Sequence, residues 1–411
     1  MKYDVLIIGG GAAGLTAALS ASENGAKTAV VEAASRVGRK ILASGTGRCN
    51  LANVRPQPYP GGAPFARQVL SLRDAEQVLA FFHRLGLVTV EEDGGRVYPG
   101  CGQAAAVLDV LRFSLEKRGV PLICEAPAEK MEKGKQGFRV TTPQGVFESK
   151  TVVAACGGMA GGKLGHDGGP YRLLTQWGHT LEKPFPALCP LTAEKSAVKG
   201  LAGLRLPAIL TLWNGEKTVA RPSQGEALFT DYGVSGVCAM ELARYACVEK
   251  KKTGRWPILY MDFSPMLGIA PRQYGFLPEK AGGPDRHLPA VKAFLEERLH
   301  RMPAEELLRG MAPRLLGEKL RGLHIGELAR SLAMYPVPLT GVKGMEAAQV
   351  TAGGIAVEEF DGSTLQSLIV PGLFAAGEIM NVDGACGGYN LLFAFASGLI
   401  AGENAALWKK E

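Results

Sequence analysis

Lys2-Tyr3-Asp4-Val5-Leu6-Ile7-Ile8 runs straight into Gly9-Gly10-Gly11-Ala12-Ala13-Gly14, and the reading of this junction decides the fold. The apolar run reads as a buried strand, and the glycines fit G-x-G-x-x-G. Leu15 to Asn24 continues with Ala-rich helical character, and Gly25 is a natural helix terminator. Lys27 to Val31 is a second β-type run with Glu32 at its end, 18 residues after Gly14. That is close to the spacing of about 20 expected of a dinucleotide-binding βαβ unit. Gly9 permits the tight turn, Gly11 lets a pyrophosphate approach the backbone, and Gly14 lets the helix pack on the strand. The N–H groups at Ala12 and Ala13 lie at the positive end of the helix dipole and favour phosphate. Glu32, with Ala33 beside it, is placed to accept from both hydroxyls of an adenosine ribose and would repel a 2′-phosphate. FAD or NAD is therefore expected here in preference to NADP.

Outward from that unit, Val37-Gly38-Arg39-Lys40 is followed by Ser44-Gly45-Thr46-Gly47-Arg48-Cys49-Asn50. Small residues interleaved with cations supply N–H donors and positive charge to a pyrophosphate and a flavin. At the far end, Gly372 to Glu378 reads as a strand ending in Gly377 and an acid. Asp383-Gly384-Ala385-Cys386-Gly387-Gly388-Tyr389-Asn390 follows, and Leu391 to Ala401 is an apolar helix. Strand, acid, glycine loop and helix form a second anion-binding arrangement. Glu378 is expected near the ribityl or phosphate region. N–H groups at Gly388 to Leu391 are expected to face the flavin edge that becomes negative on reduction. Thr151 to Cys156 reads as a strand closing on Gly157, another candidate cofactor contact.

Composition sets the outer bounds. The chain has 411 residues, 46 Lys+Arg against 39 Asp+Glu and a net charge of +7, with 46% hydrophobic and 21% charged residues. This is ordinary globular usage and excludes a disordered chain. The 54 glycines show no G-X-Y period, which excludes collagen. Eight cysteines contain no C-x-x-C pair, so neither a disulfide framework nor a metal site is expected, and a cytoplasmic setting is. The strand pattern begins within three residues of the N-terminus, so no signal peptide is expected. The apolar stretch Leu391 to Ala401 covers 11 residues; a membrane span needs roughly 20, so none is expected. The mild positive charge gives no reason to expect stable nucleic-acid binding.

G-G-G-A-A-G, V-G-R-K-I-L-x-S-G-x-G-R-C-N and the C-terminal G-G-Y-N together resemble the HI0933-like family of bacterial flavoproteins. That family includes proteins described as NAD(P)/FAD-dependent oxidoreductases or aminoacetone-oxidase-like, and bile-acid enzymes of the BaiN type. The resemblance implies an α/β fold: a Rossmann-type FAD-binding domain of the glutathione-reductase-like kind carrying an inserted β-rich and helical domain. The expected FAD domain is 1–190 with 341–411, and the insertion, 191–340, is where the family places its substrate-covering lobe. Pro184 to Pro190 marks the first boundary. Within the insertion, Ala208 to Trp213 and Thr218 to Arg221 read as strands, and Val291 to Leu299 and Ala304 to Leu320 as helices. Glu91 to Pro99 reads as a hairpin turning at Gly94-Gly95 and is similar to a family segment near the flavin.

This chain departs from the family in three places, one of them Cys386, where the family usually has Thr. Gly161 to Tyr171 replaces the usual Ser/Pro stretch and contains His166. Asp231-Tyr232 stands where the family has His-Phe. Tyr232, Tyr389 and His166 are the candidate proton donors. No second strand–GxGxxG–helix unit occurs, so NADH or NADPH, as electron donor, would bind only transiently. The expected activity is reduction of an activated C=C bond in a small or steroid-like, bile-acid-type enone by hydride transfer through flavin N5. Amine oxidation, an RNA-associated flavoprotein and a flavin redox sensor are the alternatives. The partner is a small-molecule substrate, and the sequence leaves the oligomeric state open.

Overall fold

The structure, a computed structural model, describes residues 2–270, 275–277 and 283–409. The chain divides into two units, Met1–Phe185 with Val350–Glu411, and Pro186–Gln349. The first unit is built on a parallel sheet. Strand Lys2–Ile8 lies between Thr28–Val31 and Gly145–Ala154, with Leu122–Ile123 outside Thr28–Val31. Leu373–Ala375 adds in parallel to the second half of Gly145–Ala154. The first half of that long strand pairs antiparallel with Gly137–Thr142, which pairs in turn with Lys130–Gly134. Val5 to Ile7 and Val152 to Ala154 are fully buried. That is the near-continuous apolar reading expected of strands covered on both faces.

Helix Ala12–Glu23 follows the glycine turn, starting earlier than Leu15 because the fingerprint alanines are already helical. The C-terminal helix is Tyr389–Leu407, 19 residues and not 11. By length and composition it is apolar enough to cross a membrane, yet two thirds of its most apolar window is buried within the protein. It packs alongside Ala12–Glu23: Ser20 Oγ donates to Leu399 O at 2.7 Å and Thr16 Oγ1 to Phe395 O at 3.4 Å. A core helix explains its composition.

The second unit contains an antiparallel sheet that closes on itself. Its ring runs Arg205–Trp213, Ile258–Asp262, Tyr335–Val342, Leu191–Ala193, Gly233–Ser235 and Ser223–Phe229, and the last strand pairs back with the first. Closure leaves few unpaired edges. The ring keeps Tyr335–Val342, so the chain returns to the first unit at Val350 rather than at 341. Thr218 to Arg221 is not a strand: Thr218 makes one bridge to Trp213, and regular pairing resumes at Ser223. The helix expected over Ala304 to Leu320 is two, Ala304–Met311 and Arg314–Leu320. Pro313 pushes Ala312 into the extended region (φ −123°, ψ 141°), which breaks the helical run.

Candidate active site

The site starts from backbone. Gly9 has φ +108°, and a Cβ on Gly14 would stand 1.8 Å from Gly9 O, so both positions exclude a side chain. A Cβ on Gly11 would meet nothing within 4 Å. The turn is thus closed on its protein side and open on the side where a pyrophosphate would approach. Glu32 Oε2 accepts from Gly10 N–H at 2.6 Å and Oε1 from Ala34 N–H at 2.8 Å. These bonds lock the carboxylate at the mouth of the turn.

The two helices run parallel, because Ala13 meets Gly398 and Ala17 meets Gly402. A Cβ at either glycine would lie 2.3 or 2.1 Å from the facing carbonyl oxygen. Gly377 N–H donates to Ser397 Oγ at 3.0 Å, and a Cβ on Gly377 would press on Ala13. Both helix N-termini therefore point the same way, and their positive dipole ends add. Gly388 caps the second helix at φ +102°, with Ala52 O and Asn50 Oδ1 2.5 and 2.7 Å from where its Cβ would sit. Gly388→Ala should cost about 2 kcal/mol from strain and overpacking. The check is a lower thermal midpoint together with less FAD retained after gel filtration.

Between these ends lies the polar floor. Lys40 Nζ pairs with Glu378 Oε2 at 2.9 Å and reaches Gly158 O at 3.3 Å. Thr351 N–H donates to Glu378 Oε1 at 2.8 Å. Burial works to raise the Glu378 carboxyl, but the Lys40 ammonium and the bonds from Thr351 outweigh it and hold it below its ordinary value. Arg39 donates to Lys163 O at 2.7 Å. Ser44 Oγ donates to Ile41 O at 2.6 Å and fixes the start of the Gly45–Asn50 loop. Gly45, Thr46, Gly47 and Cys49 all have positive φ. Arg48 pairs with Glu92 and lies over the Tyr98 ring, 4.2 Å from its centroid. Cys49 is buried, which pushes its thiol up to about 11.

The expected proton donors are placed unlike one another. His166 Nε2–H donates to Gly157 O and Nδ1 accepts from Gly168 N–H, both at 2.9 Å, so the ring is a neutral staple of its own loop. Burial lowers its pKa further. The Tyr389 hydroxyl donates to Arg55 O at 2.9 Å. Tyr232 belongs to the second unit, in the turn beside Gly233–Ser235, with Lys343 Nζ 4.1 Å from its ring centroid. Asn390, expected at the cofactor, holds its own loop: Oδ1 accepts from Gly384 N–H, and Nδ2 donates to Gly384 O and Ala385 O. Leu391 is half-buried in the first turn of the helix. Sequence reading missed Gly10, Thr351 and Asn53, whose Nδ2 donates to Gly387 O at 2.9 Å. For Asn53 no sequence signal existed.

FAD fits this arrangement. Two helix N-termini, an open glycine face at Gly11 and a locked carboxylate at Glu32 match a pyrophosphate and a ribose. Among the described residues, Asn50 Oδ1 and the Tyr171 hydroxyl are buried without a hydrogen-bond partner. Such orphaned groups are costly unless a ligand satisfies them. Among the described residues no cluster of His, Cys, Asp and Glu could hold a metal ion.

Comparison with known proteins agrees. Residues 3–404 match the HI0933-like protein Rossmann domain. The chain is 33% identical to the 3-dehydro-bile acid delta(4,6)-reductase of Clostridium scindens, with 97% of this chain and 98% of that protein covered. It is 28% identical to the ribosomal RNA dihydrouridine synthase of Escherichia coli over 96% of each. Among solved structures, the 3-ketosteroid-delta4-(5alpha)-dehydrogenase of Rhodococcus jostii RHA1 in complex with 4-androstene-3,17-dione is similar at a TM-score of 0.51 and 14% identity, over 98% of this chain and 97% of that one. At that identity the likeness concerns the fold alone. The chain belongs to the HI0933-like flavoprotein family, and it is an FAD-dependent oxidoreductase.

Proposed function

We propose that this enzyme reduces a C=C bond conjugated to a carbonyl, in a bile-acid-type 3-oxo steroid or a similar enone, with NADH or NADPH as electron donor. The observation that carries the reading is the end-to-end 33% identity with a reductase whose name describes such a substrate. The second relative supports the reaction class, because dihydrouridine is uridine saturated at the bond next to its 4-carbonyl. Bound FAD would supply the hydride at its N5. The chain's own groups then bind and orient. Gly9, Gly11, Ala12, Ala13 and Gly14 hold the pyrophosphate, and Glu32 with Ala33 takes the ribose. Gly38, Arg39, Lys40 and the Ser44–Asn50 loop flank the flavin with Gly157, Gly377 and Glu378. Beside Gly387, the N–H groups at Gly388 to Leu391 oppose the negative charge that reduction places on the flavin. His166 and Tyr389 serve as braces. The inserted unit, which carries Tyr232, is assigned to substrate recognition.

The test is anaerobic. The purified protein is reduced with NADH or NADPH and mixed with a 3-oxo-4,6-diene bile acid, simpler enones, aminoacetone, or a uridine-rich ribosomal RNA fragment. Reoxidation by the enones, with product two mass units heavier per bond reduced, is expected. Bleaching of the oxidised flavin by amines, with no response to enones, would establish amine oxidation instead. Reoxidation by RNA alone would move the substrate class to nucleic acid, a reading that the spread of positive charge and the lower identity of that relative do not favour.

A further inference from the structure

We propose that Tyr98 is the proton donor of this reduction, held in place by Arg48 and Arg96; the assignment rests on the enone-reductase reading above. The strand Arg96–Pro99 pairs antiparallel with Ala52–Asn53 and with Thr89–Glu92. Alternation puts Arg96 and Tyr98 on one face and the buried Val97 on the other. That shared face borders both cofactor-binding segments. A Cβ on Gly45 would lie 3.7 Å from the Tyr98 ring, and the Arg48 guanidinium covers the ring from the same loop. A Cβ on Gly387 would lie 3.6 Å from Arg96 Nε, at the opening of the C-terminal helix. One strand face is thus wedged between the glycine loop that precedes Asn50 and the glycine pair that starts the helix.

Three other potential donors of this unit are already engaged. Tyr59 donates to Tyr389 O, Tyr389 to Arg55 O and His166 to Gly157 O. Tyr98 is 8% exposed, and among the described residues its hydroxyl takes no hydrogen-bond partner. Four charged or titratable groups face it: Arg48 from the loop, Arg96 from its own strand, Glu92 from the neighbouring strand and Cys386 from the segment before the helix. Burial dominates and raises the phenol above its ordinary value, so it carries its proton at neutral pH. The two guanidinium groups are placed to oppose the charge left behind once the proton goes.

The step balances. The carbon β to the carbonyl receives a hydride that originates in the reduced nicotinamide. The C=C π bond breaks, and its electron pair moves to the α carbon, delocalised onto the carbonyl oxygen. The Tyr98 O–H bond breaks, its proton bonds to the α carbon, and the pair stays on the phenolate oxygen, which water later reprotonates. The substrate gains two electrons and two hydrogens; the nicotinamide loses the hydride.

The test uses the full-length, FAD-loaded protein, reduced anaerobically with dithionite and mixed with a panel of conjugated ketones. Tyr98→Phe should keep its FAD and its visible spectrum, while enone-driven reoxidation slows by about 10²-fold or more, the lower range for a general acid. A second arm keeps the wild-type shape and replaces every tyrosine by 3-fluorotyrosine, a more acidic phenol. The high-pH fall of the reoxidation rate should then move to lower pH, and this arm decides the matter if the Phe variant loses FAD. A Phe variant within about threefold of wild type, or an alkaline limb that fluorination does not move, would overturn the role of Tyr98 and leave the enone reading standing. Wild-type protein that no conjugated ketone reoxidises would overturn the enone reading, and this assignment with it.

Discussion

Gly398→Val should release FAD and lower stability by about 3 kcal/mol, the upper part of the range for overpacking a close-packed interface. Two effects oppose each other. In an exposed helix, replacing glycine by a residue with a side chain gains up to about 1 kcal/mol of helix propensity. At 398 the new Cβ would lie 2.3 Å from both Ala13 O and Thr16 Oγ1, and Ala13 belongs to the phosphate-binding turn. A backbone carbonyl cannot swing aside, so the parallel helices must separate. Their separation displaces both N-termini that face the cofactor. Gly310→Ala is the control, because beyond its own helix and chain neighbours no described atom lies within 4 Å of that glycine's Cβ position, and the change should stabilise. Chemical denaturation with flavin absorbance checks both. A Gly398 variant that keeps FAD and full stability would show that the close helix contact does not set the site.

Which of these features the sequence discloses follows from where each constraint originates. Gly9, Gly11, Gly14 and Glu32 are legible because the demand on them is local: the turn between one strand and one helix dictates them whatever the rest of the chain does. Gly398 and Gly402 are invisible, since an Ala- and Gly-rich apolar helix reads the same whether it meets a sheet, a helix or a bilayer. The choice of Ala12–Glu23 as partner is tertiary. Reading Leu391 to Ala401 as the whole helix failed because half-polar turns at its ends extend it to Tyr389–Leu407. The hairpin at Gly94-Gly95 was readable from its turn; that its second strand sets Arg96 and Tyr98 on one face was not read. Only the fold shows which cofactor segments that face meets. His166 and Tyr389 are potential donors as residue types, but their hydrogen bonds to Gly157 O and Arg55 O come from chain segments whose approach the sequence does not encode locally. Pro313 was the opposite case: local chemistry dictates the break, and reading Ala304 to Leu320 as one helix passed over it.

Lys40→Met should cost about 2 kcal/mol at pH 7, below the 3–5 kcal/mol of a fully buried pair, because both side chains keep some exposure. In the wild type the folded-state pKa of Glu378 is held down against burial by Lys40 and Thr351. A depressed carboxylate stabilises the fold above its unfolded pKa, near 4.3, and that contribution disappears as pH falls through the lower folded value. Removing Lys40 takes away the main opposing charge, so burial dominates and the folded pKa rises above the unfolded one. The sign then reverses. The variant carries a penalty that is full above its raised folded pKa and fades as Glu378 takes up a proton. The stability gap between wild type and Lys40→Met should therefore be widest near neutrality and should narrow on acidification toward the carboxylate range. Lys40→Met with Glu378→Gln should recover part of the loss at pH 7, since no charge is left unpaired. Denaturant midpoints at a series of pH values test this directly. A gap that stays constant with pH would mean that Lys40 acts through packing, and that the Glu378 carboxylate does not depend on it.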